Sequence, residues 1–102
     1  MVFASVQEGR EAEFEAAYAH VTAEVKGTAG HIRDELLRDS DHGGRYVLLS
    51  EWESVDAFRA WEDAPIHRQI TTPMRPYWTG RVERVIFDVA FRLGEGVLEQ
   101  VA

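Results

Sequence analysis

Two apolar periodicities alternate along this chain, and their order restricts the fold more than any other feature of the sequence. Between Arg10 and Lys26 apolar residues recur every three or four positions, which predicts an amphipathic helix that ends at Gly27. "MVFASV" before this helix, and "HIRDELLRD" and "RYVLLSEW" after it, have the composition of short β-strands. "SDHGG" has the composition of a tight turn, so the last two strands are predicted to form a hairpin.

A second helix and a last strand follow the hairpin. Ser54 is a suitable N-cap, and Val55, Phe58 and Trp61 share one face of the helix that it begins. Pro65 is predicted to start a further helical turn, "PIHRQITT", and the next segment, "TPMRPYWTG", is predicted to be irregular. "RVERVIFDVAF" alternates strictly and predicts a strand. One face of this strand would carry Val85, Phe87, Val89 and Phe91.

The resulting order is strand, helix, strand, strand, helix, strand, which predicts an α+β, ferredoxin-like split βαβ fold. Its four-stranded antiparallel sheet would carry both helices on one face. In "RYVLLSEW" both alternating sets are largely apolar, so the face without helices should meet a partner. We expect a homodimer that pairs the open sheet faces as a dimeric α/β barrel, with a cavity between each sheet and its helices. Residues 1–92 would form the domain and 93–102 a C-terminal tail.

Charge and composition exclude several functions. The net charge of -7, with eleven basic residues scattered among eighteen acidic ones, argues against nucleic acid as a partner. No apolar run reaches the roughly 20 residues of a membrane span, and the start of the chain does not have the pattern of a signal peptide. The absence of cysteine fits a cytoplasmic protein. The four histidines have no metal-ligand spacing, and Gly43 and Gly44 follow a turn rather than open a phosphate-binding helix.

Three segments carry a resemblance to a known family. "EGREAEFEAAY", "GHIRDELLRD" and "YVLLSEWESVDAFRAWEDAPIH" resemble, in this order, the antibiotic biosynthesis monooxygenase (ABM) superfamily over about residues 1–91. The resemblance implies a dimeric α/β barrel. It also implies one of several activities: oxidation of electron-rich phenols by molecular oxygen without metal or flavin, degradation of haem, or no known catalysis.

The family's functional positions match this sequence only in part. The tryptophan of the W-E-S motif, associated with the site in aromatic polyketide monooxygenases, corresponds to Trp52. The asparagine four positions before it corresponds to Leu48, and the tyrosine six positions after it to Phe58. In the haem-degrading branch, the tryptophan of F-x-x-W corresponds to Trp61, but the iron-ligating histidine ten positions later corresponds to Thr71. The resemblance therefore disfavours haem degradation.

The candidate site is aromatic, with one candidate base. Because the unperturbed pKa of histidine is about 6.5, His67 could take the phenolic proton of a substrate, although it could equally decorate the short helix after Pro65. Trp52 and Trp61 would wall the site, although both could serve packing alone. His31 and Arg33, on one strand, could hold an oxyanion if their face points into the cavity. The remaining candidate wall residues are Phe58 and Tyr46.

The sequence thus predicts a cofactor-independent monooxygenase of an electron-rich phenol, quinol or polyketide-type aromatic, with His67 as catalytic base and no metal or cofactor. Two alternatives remain open. One is a small-molecule-binding relative, or an isomerase-like or cyclase-like one, with the pocket but without oxygen chemistry, which the apolar residues Leu48 and Phe58 favour. The other is a structural dimer whose sheet face is filled by the partner, leaving no pocket.

Overall fold

Four strands form a single antiparallel sheet in the computed structural model, which describes residues 1–93. The strands are β1 (Val2–Val6), β2 (His31–Arg38), β3 (Arg45–Trp52) and β4 (Trp78–Arg84). Their order across the sheet is β2–β3–β1–β4, and every neighbouring pair is antiparallel. This is the predicted ferredoxin-like α+β topology, and the β2–β3 hairpin closes at the predicted turn.

The helices cover one face of the sheet. They are α1 (Glu11–Val25), α2 (Val55–Asp63) and α3 (Pro65–Thr71), and a 3-10 helix (Thr72–Tyr77) leads into β4. The N-cap of α2 is Ser54, whose Oγ accepts a hydrogen bond from the Ala57 N–H at 3.0 Å, as the sequence predicts. Pro65 is the first residue of α3, where its missing N–H costs nothing. The segment predicted to be irregular is instead the 3-10 helix and the start of β4.

The core lies between α1 and the helix-covered face of the sheet. Phe14 is fully buried on α1, and its ring centroid lies 5.0 Å from that of Tyr46 on β3. The Tyr46 hydroxyl donates a hydrogen bond to Glu15 of α1 at 2.6 Å. Because side chains alternate along a strand, Leu48, Ser50 and Trp52 face the helices together with Tyr46. The other members of the buried cluster are Val6, Val21, Val25, Trp61 and Met74.

A β-bulge interrupts β2 near its start. His31 pairs with Trp52 and Arg33 with Glu51, so the register shifts and Ile32 is the extra residue. His31 consequently lies on the helix-covered face, where it bonds Asp34, while Arg33 pairs with Glu51 and Glu35 on the open face. The shared face expected for His31 and Arg33 is therefore not observed, because the bulge separates them.

The last strand differs from the prediction at both ends. It begins at Trp78, earlier than predicted, and ends at Arg84, before most of the alternating residues of "RVERVIFDVAF". Its neighbour β1 starts at Val2, and the pairing closes with hydrogen bonds between Met1 and Val85. Residues 86–93 have no strand partner within the described part of the chain, and Phe87, Val89 and Phe91 are exposed. Alternation alone does not make a strand when no neighbouring edge remains to pair with it.

Within residues 1–93, no helix is long and apolar enough to cross a membrane. The predicted division between a domain over residues 1–92 and a tail falls at the limit of the described chain. Of that tail, residues 94–102 lie outside the described residues.

Candidate functional site

A cavity of about 510 Å³ opens at one end of the sheet, against α2. The side chains of Leu48 and Trp52 on β3 meet those of Val55 and Phe58 on α2 across it, because the N-cap at Ser54 directs α2 back over the end of β3. Further wall residues are Val2, Ile32, Ser50, Arg84 and Ile86. A cavity of this volume and largely apolar lining suits a small organic molecule.

Four aromatic rings form a row behind the cavity wall. Trp52 stacks on Trp61 with ring centroids 6.2 Å apart and planes inclined by 21°. His31 lies 4.9 Å from Trp52 on one side, and His67 lies 5.1 Å from Trp61 on the other, edge-on. Phe58 meets Trp52 edge-on at 5.9 Å. The two tryptophans thus separate the two histidines, and of these two indoles Trp52 lines the cavity while Trp61 lies behind it.

A chain of hydrogen bonds runs from the cavity wall into the space below α1. Trp52 Nε1 donates to Ser50 Oγ at 2.8 Å, and Ser50 Oγ donates to Asp34 Oδ1 at 2.6 Å. Asp34 Oδ1 also lies 2.9 Å from His31 Nε2, and its Oδ2 accepts a hydrogen bond from Thr22 of α1. Ser50 is exposed, whereas the side chains of Asp34 and His31 are 11% and 7% exposed. The wall therefore carries a hydroxyl with a buried carboxylate behind it.

Tyr18 borders this polar cluster from α1. Burial, and next the negative charge of Asp34, raise the pKa of the Tyr18 phenol above its usual range. The phenol hydroxyl is buried, and the Thr22 side chain opposes this rise in pKa to a smaller extent. Tyr18 consequently remains neutral at physiological pH and adds no charge beside the carboxylate.

The other predicted site residues fall into three places. Trp52 and Phe58 line the cavity, and Trp61 is buried behind Trp52. Tyr46 lies deeper along β3, where burial and the Glu15 carboxylate raise the pKa of its phenol to about 12. Arg33 is on the open face of the sheet with Glu35 and Glu51. The structure thus brings together Trp52, Phe58, Trp61 and His31, but not Tyr46 or Arg33.

His67, the predicted base, lies on α3 and is half-buried. Burial lowers the pKa of its imidazole, and the nearby positive charge of Arg75 lowers it further, against a weaker opposing effect of Glu62. The ring contacts Trp61, and His67 is not among the residues that line the cavity. No group of three or more His, Cys, Asp or Glu side chains within residues 1–93 is arranged to hold a metal ion.

Sequence reasoning missed Asp34 and Ser50. The two residues are direct cross-strand partners, in the same hairpin register that pairs Arg38 with Tyr46. Counting outward from the "SDHGG" turn would have placed them side by side. No feature of the sequence indicates the bulge at Ile32, so the sequence could not have placed His31 beside Asp34 and Ser50.

These features define an α+β protein of ferredoxin-like topology with a cavity of about 510 Å³ walled by a tryptophan. The sequence profile of the family called antibiotic biosynthesis monooxygenase matches residues 1–72. The chain belongs to this family.

Individual relatives are similar over most of the chain. Deoxynogalonate monooxygenase from Streptomyces nogalater is 33% identical over 88 residues, which are 86% of this chain and 73% of that protein. The crystal structure of a point mutant of SnoaB, a cofactor-independent oxygenase from the same organism, has a TM-score of 0.78 at 31% identity, covering 92% of this chain and 93% of that one. MhuD, a heme-degrader from Mycobacterium tuberculosis with two hemes bound in its active site, has a TM-score of 0.62 at 30% identity, covering 87% and 96%. Against the first curated relatives, two proteins from Streptomyces, the chain spans only 20% and 17% of their lengths.

Proposed function

We propose that this chain is a cofactor-independent monooxygenase of an electron-rich aromatic molecule, such as a phenol, a quinol or a polyketide-type anthrone. The observation that carries the proposal is the cavity walled by Trp52 and Phe58, in a chain similar to a protein described as a cofactor-independent oxygenase. Flat indole and phenyl rings offer a planar substrate large contact areas and specific ring geometry. The cavity volume, about 510 Å³, suits a molecule of a few fused rings.

The reaction balances without an external reductant. Oxidation of an anthrone methylene to a carbonyl consumes one O₂. One oxygen atom enters the product, and the other leaves as water with the two methylene hydrogens. The substrate supplies all the electrons, provided that it is first deprotonated, since the anion gives an electron to oxygen more readily than the neutral molecule. The protein's task is therefore to bind the substrate and accept a proton.

Small-molecule binding without oxygen chemistry is the second candidate. One observation favours it: Leu48 and Phe58 both line the cavity, at the positions where the polyketide oxygenases that this chain resembles carry an asparagine and a tyrosine. Haem degradation is disfavoured at a third position. Thr71 stands where the haem-degrading branch has its ligating histidine, and its hydroxyl donates to the His67 carbonyl at 2.8 Å and accepts from Arg75 at 3.0 Å.

We also propose that two copies pair through the open sheet face. Phe3 and Leu37 are exposed there, beside Val47, in a groove of about 480 Å³. Arg45, Arg81 and Glu83 line this groove with charges of both signs, which allows cations of one copy to meet anions of the other across a two-fold axis. Sedimentation velocity should give a dimer for the wild type and a monomer for Leu37→Glu. Ala19→Glu, on the exposed surface of α1, should remain dimeric. A monomeric wild type would contradict this pairing.

The test of activity is oxygen uptake by the purified, metal-free protein with a panel of anthrones, naphthols and hydroquinones. Saturable uptake above the uncatalysed rate, with one O₂ consumed per product, is the expected result. Binding without uptake across the panel would support the second candidate instead. His67→Ala, assayed in parallel after a folding check, tests the base predicted from the sequence: uptake that is unchanged in this variant would remove His67 from that role.

A further inference from the structure

Ser50 is the polar group at the centre of this inference, which rests on the function proposed above. We propose that the Ser50 hydroxyl, held by Asp34 and Trp52, accepts the hydrogen bond of a hydroxyl group on the cavity's ligand and, during the reaction, accepts its proton. Asp34 is the positioning residue, since it orients Ser50 and takes the serine proton. The ligand class is thereby narrowed to aromatic molecules with a free hydroxyl, as opposed to ethers or plain hydrocarbons.

The hydrogen-bond inventory of Ser50 carries the first step. A serine hydroxyl has one donor and two acceptor lone pairs. The donor is used by Asp34 Oδ1 at 2.6 Å, and one lone pair is used by Trp52 Nε1 at 2.8 Å. Ser50 is exposed and lines the cavity, so its remaining lone pair is available to a ligand. The ligand group that bonds to this remaining lone pair of Ser50 must therefore be a hydrogen-bond donor.

Asp34 fixes this orientation of the Ser50 hydroxyl. An ionised carboxylate is acceptor-only, so the Ser50 proton must point towards it and away from the cavity. Thr22 from α1, His31 from β2 and Ser50 from β3 all direct a polar group at Asp34. Tyr18 of α1 is a further titratable neighbour of Asp34, and its phenol stays neutral. With few degrees of freedom left in the cluster, Ser50 is held as an acceptor before a ligand arrives.

The proton transfer is balanced within this cluster. The ligand O–H bond breaks and its proton passes to Ser50 Oγ, while the Ser50 O–H bond breaks and that proton passes to Asp34 Oδ1. The ligand keeps the electron pair as an anion, and Asp34 becomes a neutral carboxylic acid that donates back to Ser50. No oxidant takes part in this step, and the anion that it generates is the form that reacts with oxygen.

His67 does not offer an equivalent route. Its ring contacts Trp61, whose indole lies behind that of Trp52 and not on the cavity wall. Burial, and next the charge of Arg75, lower the pKa of His67, whereas the Ser50 hydroxyl leads directly to a carboxylate.

A binding experiment tests the inference without depending on oxygen chemistry. Dissociation constants of 2-naphthol and of its methyl ether would be measured by calorimetry under nitrogen. The wild type should prefer the naphthol by roughly 3- to 10-fold, the range that one net hydrogen bond provides. Ser50→Ala should lose this preference. Asp34→Asn should weaken it, because the amide can turn its NH₂ group towards Ser50, whose own proton is then available to the ether oxygen. Ser40→Ala, at an exposed serine between β2 and β3 that is not among the residues lining the cavity, is the matched control and should keep the preference.

Oxygen uptake supplies the second readout. Below the pH at which the free substrate ionises, Ser50→Ala and Asp34→Asn should lower kcat by roughly 100-fold, in addition to a rise in KM of at most roughly 10-fold from the lost or weakened hydrogen bond to the substrate. The deficit should shrink as the pH rises and the substrate arrives already ionised, which a merely structural defect would not do. If one variant fails to fold, the other still provides both comparisons.

The outcomes separate this inference from the proposed function. A naphthol preference that depends on Ser50, without oxygen uptake, would support the hydroxyl site and contradict the oxygenase. Equal binding of naphthol and ether by the wild type would overturn the inference whatever the uptake. A preference that survives in Ser50→Ala but disappears in His67→Ala would overturn it in favour of His67, and failure of the wild type to bind either probe would overturn both proposals.

Discussion

His31 and His67 each lie against one of two stacked indoles, at 4.9 Å from Trp52 and 5.1 Å from Trp61, yet their surroundings are opposite in charge. His31 is nearly buried and bonds the Asp34 carboxylate, which is linked through Ser50 to the cavity. His67 is half-buried, and the charge of Arg75 disfavours its protonation. The same residue type in a similar ring contact therefore adjoins a carboxylate in one case and an arginine in the other. The charged neighbours, rather than the histidine itself, make the difference.

The largest expected effect comes from removing the tryptophan that separates the two histidines. Trp61→Ala should lower the free energy of unfolding by about 3 to 5 kcal/mol, because Trp61 is 8% exposed and fills space between Trp52 and His67. Chemical denaturation measures this loss. Ile66→Ala on α3, at a residue that is 52% exposed, is the control and should change stability by less than about 0.5 kcal/mol. A small loss in Trp61→Ala would mean that the indoles do not support each other.

Removal of the Asp34 carboxylate should disturb the surroundings of His31 and leave those of His67 unchanged. Asp34→Ala leaves polar groups of Thr22, His31 and Ser50 without their shared partner and should cost about 2 kcal/mol of unfolding free energy or more. The ring of His67 has no contact with this cluster, so its NMR titration should be unchanged. Asp63→Ala, at an exposed carboxylate on α2, should have almost no effect on stability. Equal losses in the two variants would show that the cluster does not stabilise the fold.

Gly30, directly before His31, allows a sharper test of the packing around His31. Its φ of +83° disfavours other residues, and an added Cβ would lie 2.5 Å from the Cβ of Ala57 on α2. Gly9 has a φ of +82° with nothing within 4 Å of such a Cβ. Gly30→Ala should therefore destabilise the protein more than Gly9→Ala, by roughly 1 to 3 kcal/mol, the cost of overpacking. Equal midpoints of thermal unfolding for the two variants would mean that α2 moves away from the added methyl group without loss of stability.

The smallest effect concerns His67 and pH. Because the folded protein lowers the pKa of His67, the unfolded chain binds the proton first as the pH falls. Stability is therefore highest above the unfolded pKa of about 6.5 and declines as the pH falls through that value towards the lower folded pKa. His67→Gln should lose this decline, so the difference in denaturation midpoint between wild type and variant should change with pH between about 5 and 8. A constant difference over this range would contradict the lowered pKa.

The sequence predicted those parts of the fold and site that depend on local periodicity. The Ser54 cap, the shared face of Phe58 and Trp61, and the cavity beside Trp52 follow from spacing along one helix and its preceding strand. The Ser50–Asp34 pair depends on register between two strands, and the placement of His31 depends on a bulge, so local patterns did not reveal either. The predicted extent of the last strand was wrong for a related reason. Its alternating sequence continues past the point where its neighbour β1 begins, so the later residues have no strand to pair with.

The bulge at Ile32 also has a consequence for how such a protein can diverge. Side chains after the bulge keep their register with β3, while those before it have been moved to the opposite face by one extra residue. Deleting that residue would restore strict alternation and still keep His31 opposite Trp52 and Arg33 opposite Glu51, without altering any residue of the buried cluster. The length of this strand end can therefore change by a single codon in evolution, while the polar groups beside the cavity are inherited in place.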